Sequence, residues 1–292
     1  MINFLKREKS SNSLKMNAKV KRILNYLATY CALIIICFVF LFPCLWLILS
    51  SFSATGSLYD IKGFFPSEYS FDAFIKLFTD TGLYNYPKWL LNTLFVALMS
   101  CIFSTILIIS TAYVISYFEF KARKPLMKLT LVLSMFPSFM GMTAVYLLMT
   151  QFNFVNNLWG LIVMYSCTAP MGYLVQKGFF DTIPHSIYEA AKIDGATNFR
   201  IFRTITLPLS KPIIVYTALS SFTWPWSDFV LPKLLLIERD NWTVAVGLLT
   251  LGQEEFTRFA SGAVFIAVPI VIMYFLLSKN MVTGMTSGAV KG

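Results

Sequence analysis

The sequence predicts an all-α polytopic membrane protein: one bundle of six transmembrane helices with both termini on the cytoplasmic side. Three observations carry this. Only 13% of the 292 residues are charged against 57% hydrophobic, where a soluble domain carries about 25% charged residues. Mean hydropathy is +0.67. The apolar residues are not scattered. They gather into charge-free runs at Ile23–Tyr59, Trp89–Phe118, Leu129–Gln176, Pro212–Ser227 and Phe259–Ser278.

A helical crossing needs roughly 20 mostly apolar residues. The first run gives a span over about 23–50. Its apolar stretch is longer than the core of a cleavable signal, and no small-x-small site follows it. Residues 1–22 are polar and basic, expected as a mobile segment or one lying on the membrane surface. The second run gives a span over about 89–118. The third is too long for one helix, and "QFNFVNN" (Gln151–Asn157) divides it into spans over about 126–150 and 158–176 joined by a tight turn. The fifth and sixth spans cover about 212–231 and 259–278. A six-helix transmembrane domain over 23–279, with a cytoplasmic loop over 177–211, and a cytoplasmic tail over 280–292 complete the expected organisation.

The net charge of +10 is distributed as in a membrane protein, not a nucleic-acid binder. With the N-terminus inside, 18 of the 24 basic residues fall on the inner side and 9 of the 14 acidic residues on the outer side. The positive-inside rule selects this orientation. It also sets Trp46, Trp89, Trp159, Trp224, Trp226 and Trp242 at or beyond the outer ends of spans, as an interfacial aromatic belt. The five cysteines fall inside spans without a Cys-x-x-Cys pair and read as buried apolar thiols. No metal or cofactor site is expected.

Ion-coupled carriers place Asp, Glu, His or Lys at mid-membrane. Here Asp228 lies at the outer end of the fifth span, and the single histidine, His185, is in an inner loop. The chain has no phosphate loop and no recognisable catalytic motif. Energy for uphill movement would therefore come from another subunit, which needs a docking surface.

The inner loop 177–211 is the candidate for that surface. "PHSIYEAAKIDG" reads as a short helix in which Ser186 and Glu189 form a capping box and Gly195 supplies the left-handed terminator. "TNFRIFRTI" reads as a second, with Phe199 and Phe202 at i, i+3 and Ile201 and Ile205 at i, i+4. Pro208 and Pro212 close the unit. Ala190 and Ala191 keep one side of the first helix slim enough to enter a cleft. An amphipathic helix resting on the inner leaflet would have a similar pattern.

Glu189, Ala190, Ala191, Gly195, Ile205, Leu207 and Pro208 match a longer string: E-A-A, three residues, Gly, nine residues, Ile, one residue, Leu-Pro. This resembles the cytoplasmic EAA loop of permease subunits of ATP-binding-cassette importers. The resemblance extends over most of residues 23–292. "TWPWSDFVLPKLLL" (Thr223–Leu236), "WTVAVGLLTL" (Trp242–Leu251) and the ending "MVTGMTSGAVKG" are similar to the carbohydrate branch, and within it to the maltose-type second permease.

The resemblance implies a type I importer bundle in a bacterial cytoplasmic membrane, taking up sugars, with oligosaccharides as the narrower expectation. It implies a second, different permease, two ATPase subunits, an extracytoplasmic sugar-binding protein and surrounding lipid as partners, and no nucleic acid. The EAA residues would form the coupling helix, and Gly288, Ala289, Val290, Lys291 and Gly292 a tail reaching the ATPases. ATP hydrolysis would belong to the partner, so the chain is expected not to be an enzyme. The outer loops 51–88 and 228–258 could dock the binding protein or serve as hydrophilic padding. Phe136, Phe139, Tyr146, Phe222 and Trp224 are aromatic candidates for the substrate pathway, and packing is the competing explanation for each. An importer for a non-sugar solute and an ion-coupled carrier are the alternative readings.

Overall fold

The computed structural model describes residues 2–82, 84–168 and 172–287. The helices in chain order are α1 (Ile2–Ser50), α2 (Asp72–Thr79), α3 (Tyr86–Tyr117), α4 (Arg123–Ser134), α5 (Met142–Gln151), α6 (Leu158–Thr168) and α7 (Tyr173–Phe180). They continue with α8 (His185–Ile193), α9 (Asn198–Ile201), α10 (Leu207–Leu209), α11 (Lys211–Ser227), α12 (Val230–Leu235), α13 (Val244–Leu249) and α14 (Phe256–Ser287). Among the described residues the only β-type pairing is the single bridge between Ser53 and Tyr69.

Three helices are individually long and apolar enough to cross a bilayer: α1 from Val20, α3, and α14 with the turn before it. Two further crossings reach the necessary length only as bent pairs. α4 and α5 meet at 89°, and α6 and α7 at 43°. The continuous helix expected over 126–150 is thus broken. Pro137 takes an extended conformation (φ −58°, ψ 125°) and Ser138–Gly141 forms a 3-10 turn, because the ring removes an amide donor and clashes with the preceding turn. α11 has 17 residues, about 26 Å at 1.5 Å per residue. The sixfold count is reached only if each bent pair and α11 make one crossing.

The N-terminal segment is helical. α1 runs without interruption from Ile2, since the chain has no glycine or proline before Pro43. Its apolar stretch is exposed throughout, and it meets the rest of the protein near its end, where Trp46 packs on Phe256 at 5.5 Å.

α3 is the centre of the bundle. α6, α7, α11 and α13 all pack on it, and α11 also packs on α14. Thr93, Val96, Ala97, Ser100, Cys101 and Ser104 are buried along one side of α3. Small residues there let neighbouring backbones approach closely, the usual basis of helix association in a membrane.

The segment 228–258 is not a hydrophilic loop. Leu235, Leu236, Trp242, Val244, Ala245, Val246 and Leu248 are buried, and α13 packs against α3 and α14. The tryptophan belt needs the same correction. Trp89, Trp226 and Trp242 are core residues, while Trp159 and Trp224 are exposed. Burying an indole on an internal partner outweighs an interfacial position here: Trp89 Nε1 donates to the Arg239 carbonyl at 2.7 Å, and the Trp89 and Trp242 rings lie 5.9 Å apart.

Gly247 makes this packing possible. A Cβ there would fall inside the Trp89 ring, which is buried and cannot step aside. Gly247→Ala is expected to cost about 1–3 kcal/mol by overpacking, seen as a lower thermal midpoint of the purified protein. Gly252→Ala, with open space around it, is the control and should leave the midpoint unchanged.

Candidate functional site

The loop unit between α7 and α11 begins with an ion pair. Lys177, buried at the end of α7, donates to Asp181 one helical turn later. Ser116 Oγ near the C-terminal end of α3 donates to the other carboxylate oxygen at 2.6 Å. Burial would raise the Asp181 pKa. The hydrogen bonds from Lys177 and Ser116, with the charges of Lys177 and Arg123, outweigh it and hold the carboxyl below its usual range. The exit of α7 is therefore tied to α3.

α8 starts at Pro184, which is extended (φ −58°, ψ 129°) and offers no side-chain cap. The expected capping box does not form. The helix begins at His185, two residues earlier than that motif requires, so Ser186 lies inside the first turn instead of in the extended N-cap conformation. The other end is as expected. Gly195 has φ +78°, its amide donates to the Lys192 carbonyl at 3.0 Å, and the Ala196 amide donates to the Ala191 carbonyl at 2.9 Å. These two bonds make a Schellman terminus.

Thr197 then caps α9, accepting from the Arg200 amide at 3.3 Å. Phe202–Thr206 is a single π-helical turn, closed by the Leu207 amide on the Phe202 carbonyl. It falls just before Pro208, whose missing amide cannot continue an α-helical ladder. Pro208 itself lies inside α10, and Pro212 in the first turn of α11. The prolines shape a continuing helical path more than they end one.

An aromatic mount holds this unit on α3. Tyr113 and Tyr117 stack at 5.0 Å. Phe202 packs on Tyr113 at 4.6 Å, and Tyr188 meets Tyr117 edge-on at 5.0 Å. Tyr113 Oη donates to the Asn198 carbonyl at 3.1 Å. Thr206 Oγ1 donates to Tyr188 Oη at 3.4 Å. Ile183, Tyr188 and Ile201 form a small buried core beneath α8.

The mount divides the matched string in two. Ala191 and Ile205 are half-buried against the core under α8, and Leu207 against the cluster around Tyr113. Glu189, Ala190, Gly195 and Pro208 face outward. The most exposed apolar side chains of the unit are Ile193 at 86% exposure and Phe199 at 72%. The sequence reading placed Phe199 with Phe202 on one face and did not single out Ile193 or Tyr188. The spacing of Tyr113, Tyr117, Tyr188 and Phe202 across separate helices is a tertiary signal that no local pattern carries.

The aromatic pathway candidates are not brought together. Phe222 is 2% exposed and packs on Trp226 inside the core. Tyr146 is half-buried against that same core. Phe136 and Phe139 flank the break between α4 and α5 and are exposed. Trp224 is exposed and borders a cavity of about 490 Å³. The tail residues Gly288, Ala289, Val290, Lys291 and Gly292 lie outside the described residues.

The fold is thus a helical membrane bundle with a firmly mounted, outward-facing loop helix. The sequence model of the family described as "Binding-protein-dependent transport system inner membrane component" matches residues 104–285, and the chain belongs to that family. It is a membrane-embedded permease subunit of an ATP-binding-cassette importer that works with a binding protein. The maltodextrin transport system permease protein MalD of Streptococcus pneumoniae is 39% identical over 94% of this chain and 98% of its own length. The galactooligosaccharides transport system permease protein GanQ of Bacillus subtilis is 36% identical over 94% and 98%. The fold is shared with a chain of a bacterial importer of the acidic polysaccharide alginate, with a TM-score of 0.74, 22% identity, and coverage of 88% of this chain and 96% of that one.

Proposed function

We propose that this permease carries sugars, and more narrowly neutral oligosaccharides, as half of a translocation pathway whose other half is a second, different permease. Two relatives of matching length act on maltodextrin and galactooligosaccharides, which supports the substrate class. Six crossings, with both termini and loop 177–211 in the cytoplasm, fit the excess of basic residues in that loop and the flanking segments.

The observation that carries the mechanism is the outward face of α8 on its aromatic mount. Ala190 leaves room for close backbone approach, and Ile193 and Phe199 present apolar area that a groove on an ATPase subunit would cover. Because α8–α10 are fastened to α3 and continue into α11, a push on α8 is delivered to the two helices at the centre of the bundle. ATP-driven closure of an ATPase pair then turns the bundle outward-facing, and release returns it. Gly288, Ala289, Val290, Lys291 and Gly292, which follow α14, are the second contact in this proposal. An external sugar-binding protein delivers the substrate.

Reconstituted vesicles holding the full complex test the energy source. Uptake is expected with ATP and sugar-loaded binding protein, and none with a proton or sodium gradient alone, since no mid-membrane acid is available to couple to an ion. Ion-driven uptake without nucleotide would overturn the proposal.

A further inference from the structure

The cavity beside Trp224 lies between α3, α6, α7 and α11, and nothing in the mechanism so far uses it. Its volume of about 490 Å³ falls within the roughly 300–1,000 Å³ of small-molecule sites. Ser104, Tyr165, Thr168, Ser220, Ser221 and Trp224 border it. Ser104 lies near the middle of α3, and Ser220 and Ser221 near the middle of α11, so the cavity is at mid-helix depth.

Two features separate this cavity from a surface that only lipid would wet. First, two interrupted helix ends meet at it: Thr168 ends α6, Gly172 immediately precedes α7, and both border the cavity. Helices interrupted at membrane depth are tolerated where the break lines a hydrated cavity or is buried in protein, and transporters form substrate sites at such breaks. Second, the hydroxyl-bearing Ser104, Tyr165, Thr168, Ser220 and Ser221 share the cavity border with an aromatic residue, Trp224. Trp224 makes no ring-to-ring contact among the described aromatic pairs, and the residue is 62% exposed.

The charge character narrows the ligand. Among the described residues, no Lys, Arg, Asp, Glu or His borders the cavity. The nearest carboxylate in the network, Asp228, is already occupied. Its Oδ2 accepts from Tyr165 Oη at 2.8 Å, and its Oδ1 accepts from the Val230 amide at 3.0 Å. This bond also fixes the Tyr165 ring as a wall. A charged solute would find no counter-ion here, and a purely apolar one would leave Ser220 and Ser221 unpaired. A neutral ring with one C–H face and a rim of hydroxyls satisfies both.

We propose that this cavity is a contact site for one neutral sugar ring, with Trp224 beneath the ring and Ser220 and Ser221 hydrogen-bonding its hydroxyls. The subunit would then touch the transported saccharide directly as well as transmit force. The inference rests on the sugar-importer reading above.

The test uses the full complex in vesicles, with a labelled maltodextrin and a labelled galactooligosaccharide as probes. Uptake and binding-protein-stimulated ATP hydrolysis are measured on the same preparations. Trp224→Ala is expected to lower uptake of the transported probe about tenfold, the size of one well-placed aromatic contact, and to lower it more than it lowers hydrolysis. Trp224→Phe should recover most of the uptake. Ser220→Ala combined with Ser221→Ala removes two hydroxyls without adding volume and should lower uptake several-fold, which decides the matter if Trp224→Ala does not assemble. Wild-type uptake in both variants would overturn the proposal and leave the cavity to lipid or to the partner permease. A wild-type complex that hydrolyses ATP yet imports neither probe would instead overturn the sugar reading, and this proposal with it.

Discussion

Gly195→Val is expected to abolish coupled transport while leaving the protein in the membrane. Space is not the reason, since nothing lies within 4 Å of where its Cβ would sit. Conformation is. At φ +78° a β-branched residue pays roughly 1–2 kcal/mol or more, and relieving that strain unwinds the Schellman terminus that aims α8. Gly195→Asn, which tolerates the left-handed region, should be mild. Ala190→Leu reaches the same end by another route. Ala190 is exposed, so the larger side chain leaves the fold intact and holds the partner off. For both Gly195→Val and Ala190→Leu, the ATPase should fail to co-purify at wild-type yield and uptake should fall by more than tenfold. Normal uptake with a full complement of ATPase would show that α8 is not the coupling element.

Much of this site was legible because its signals are local. Gly195 announces a left-handed terminator, and the spacing from Glu189 to Pro208 is a linear string. The capping box failed because Ser186 and Glu189 have the right spacing in either of two registers, and only the actual helix start distinguishes them. The break at Pro137–Gly141 carried a proline that the apolar run obscured. Other features depend on distant residues. Asn156 adopts φ +57° because its side chain accepts from the Ile237 and Glu238 amides at 3.2 and 3.0 Å, 81 and 82 residues away. α13 reads as part of an outer loop until Trp89 and Gly247 are seen in contact. Lys177 counts as one basic residue of a loop in the sequence, and only the fold buries it against Asp181.

That burial sets the second large effect. Asp181→Asn should weaken transport more than Lys177→Met does, although each removes one member of the same pair. The Lys177 side chain is 11% exposed and that of Asp181 43%. Removing the carboxylate strands an ammonium in a poorly solvated position, whereas removing the ammonium leaves a carboxylate that still accepts from Ser116 and reaches water. Breaking a fully buried pair costs about 3–5 kcal/mol. Solvent screening at the half-exposed Asp181 reduces this to about 1–2 kcal/mol. The cost falls on the joint between α7 and α3, so uptake should drop more than ATP hydrolysis as the loop unit loosens. Lys177→Met combined with Asp181→Asn should recover to the level of Lys177→Met alone, because the stranded charge is gone. The pH dependence follows from the sign of the shift. The folded carboxyl titrates below its ordinary value of 3.8, so its stabilisation is complete above the unfolded value and is lost only as pH falls through the depressed one. Between about pH 5 and 8 the ratio of wild-type to Asp181→Asn uptake should therefore be constant. A ratio that changes across that range, or equal losses from the two single substitutions, would show that the pair does not hold the coupling unit to the bundle.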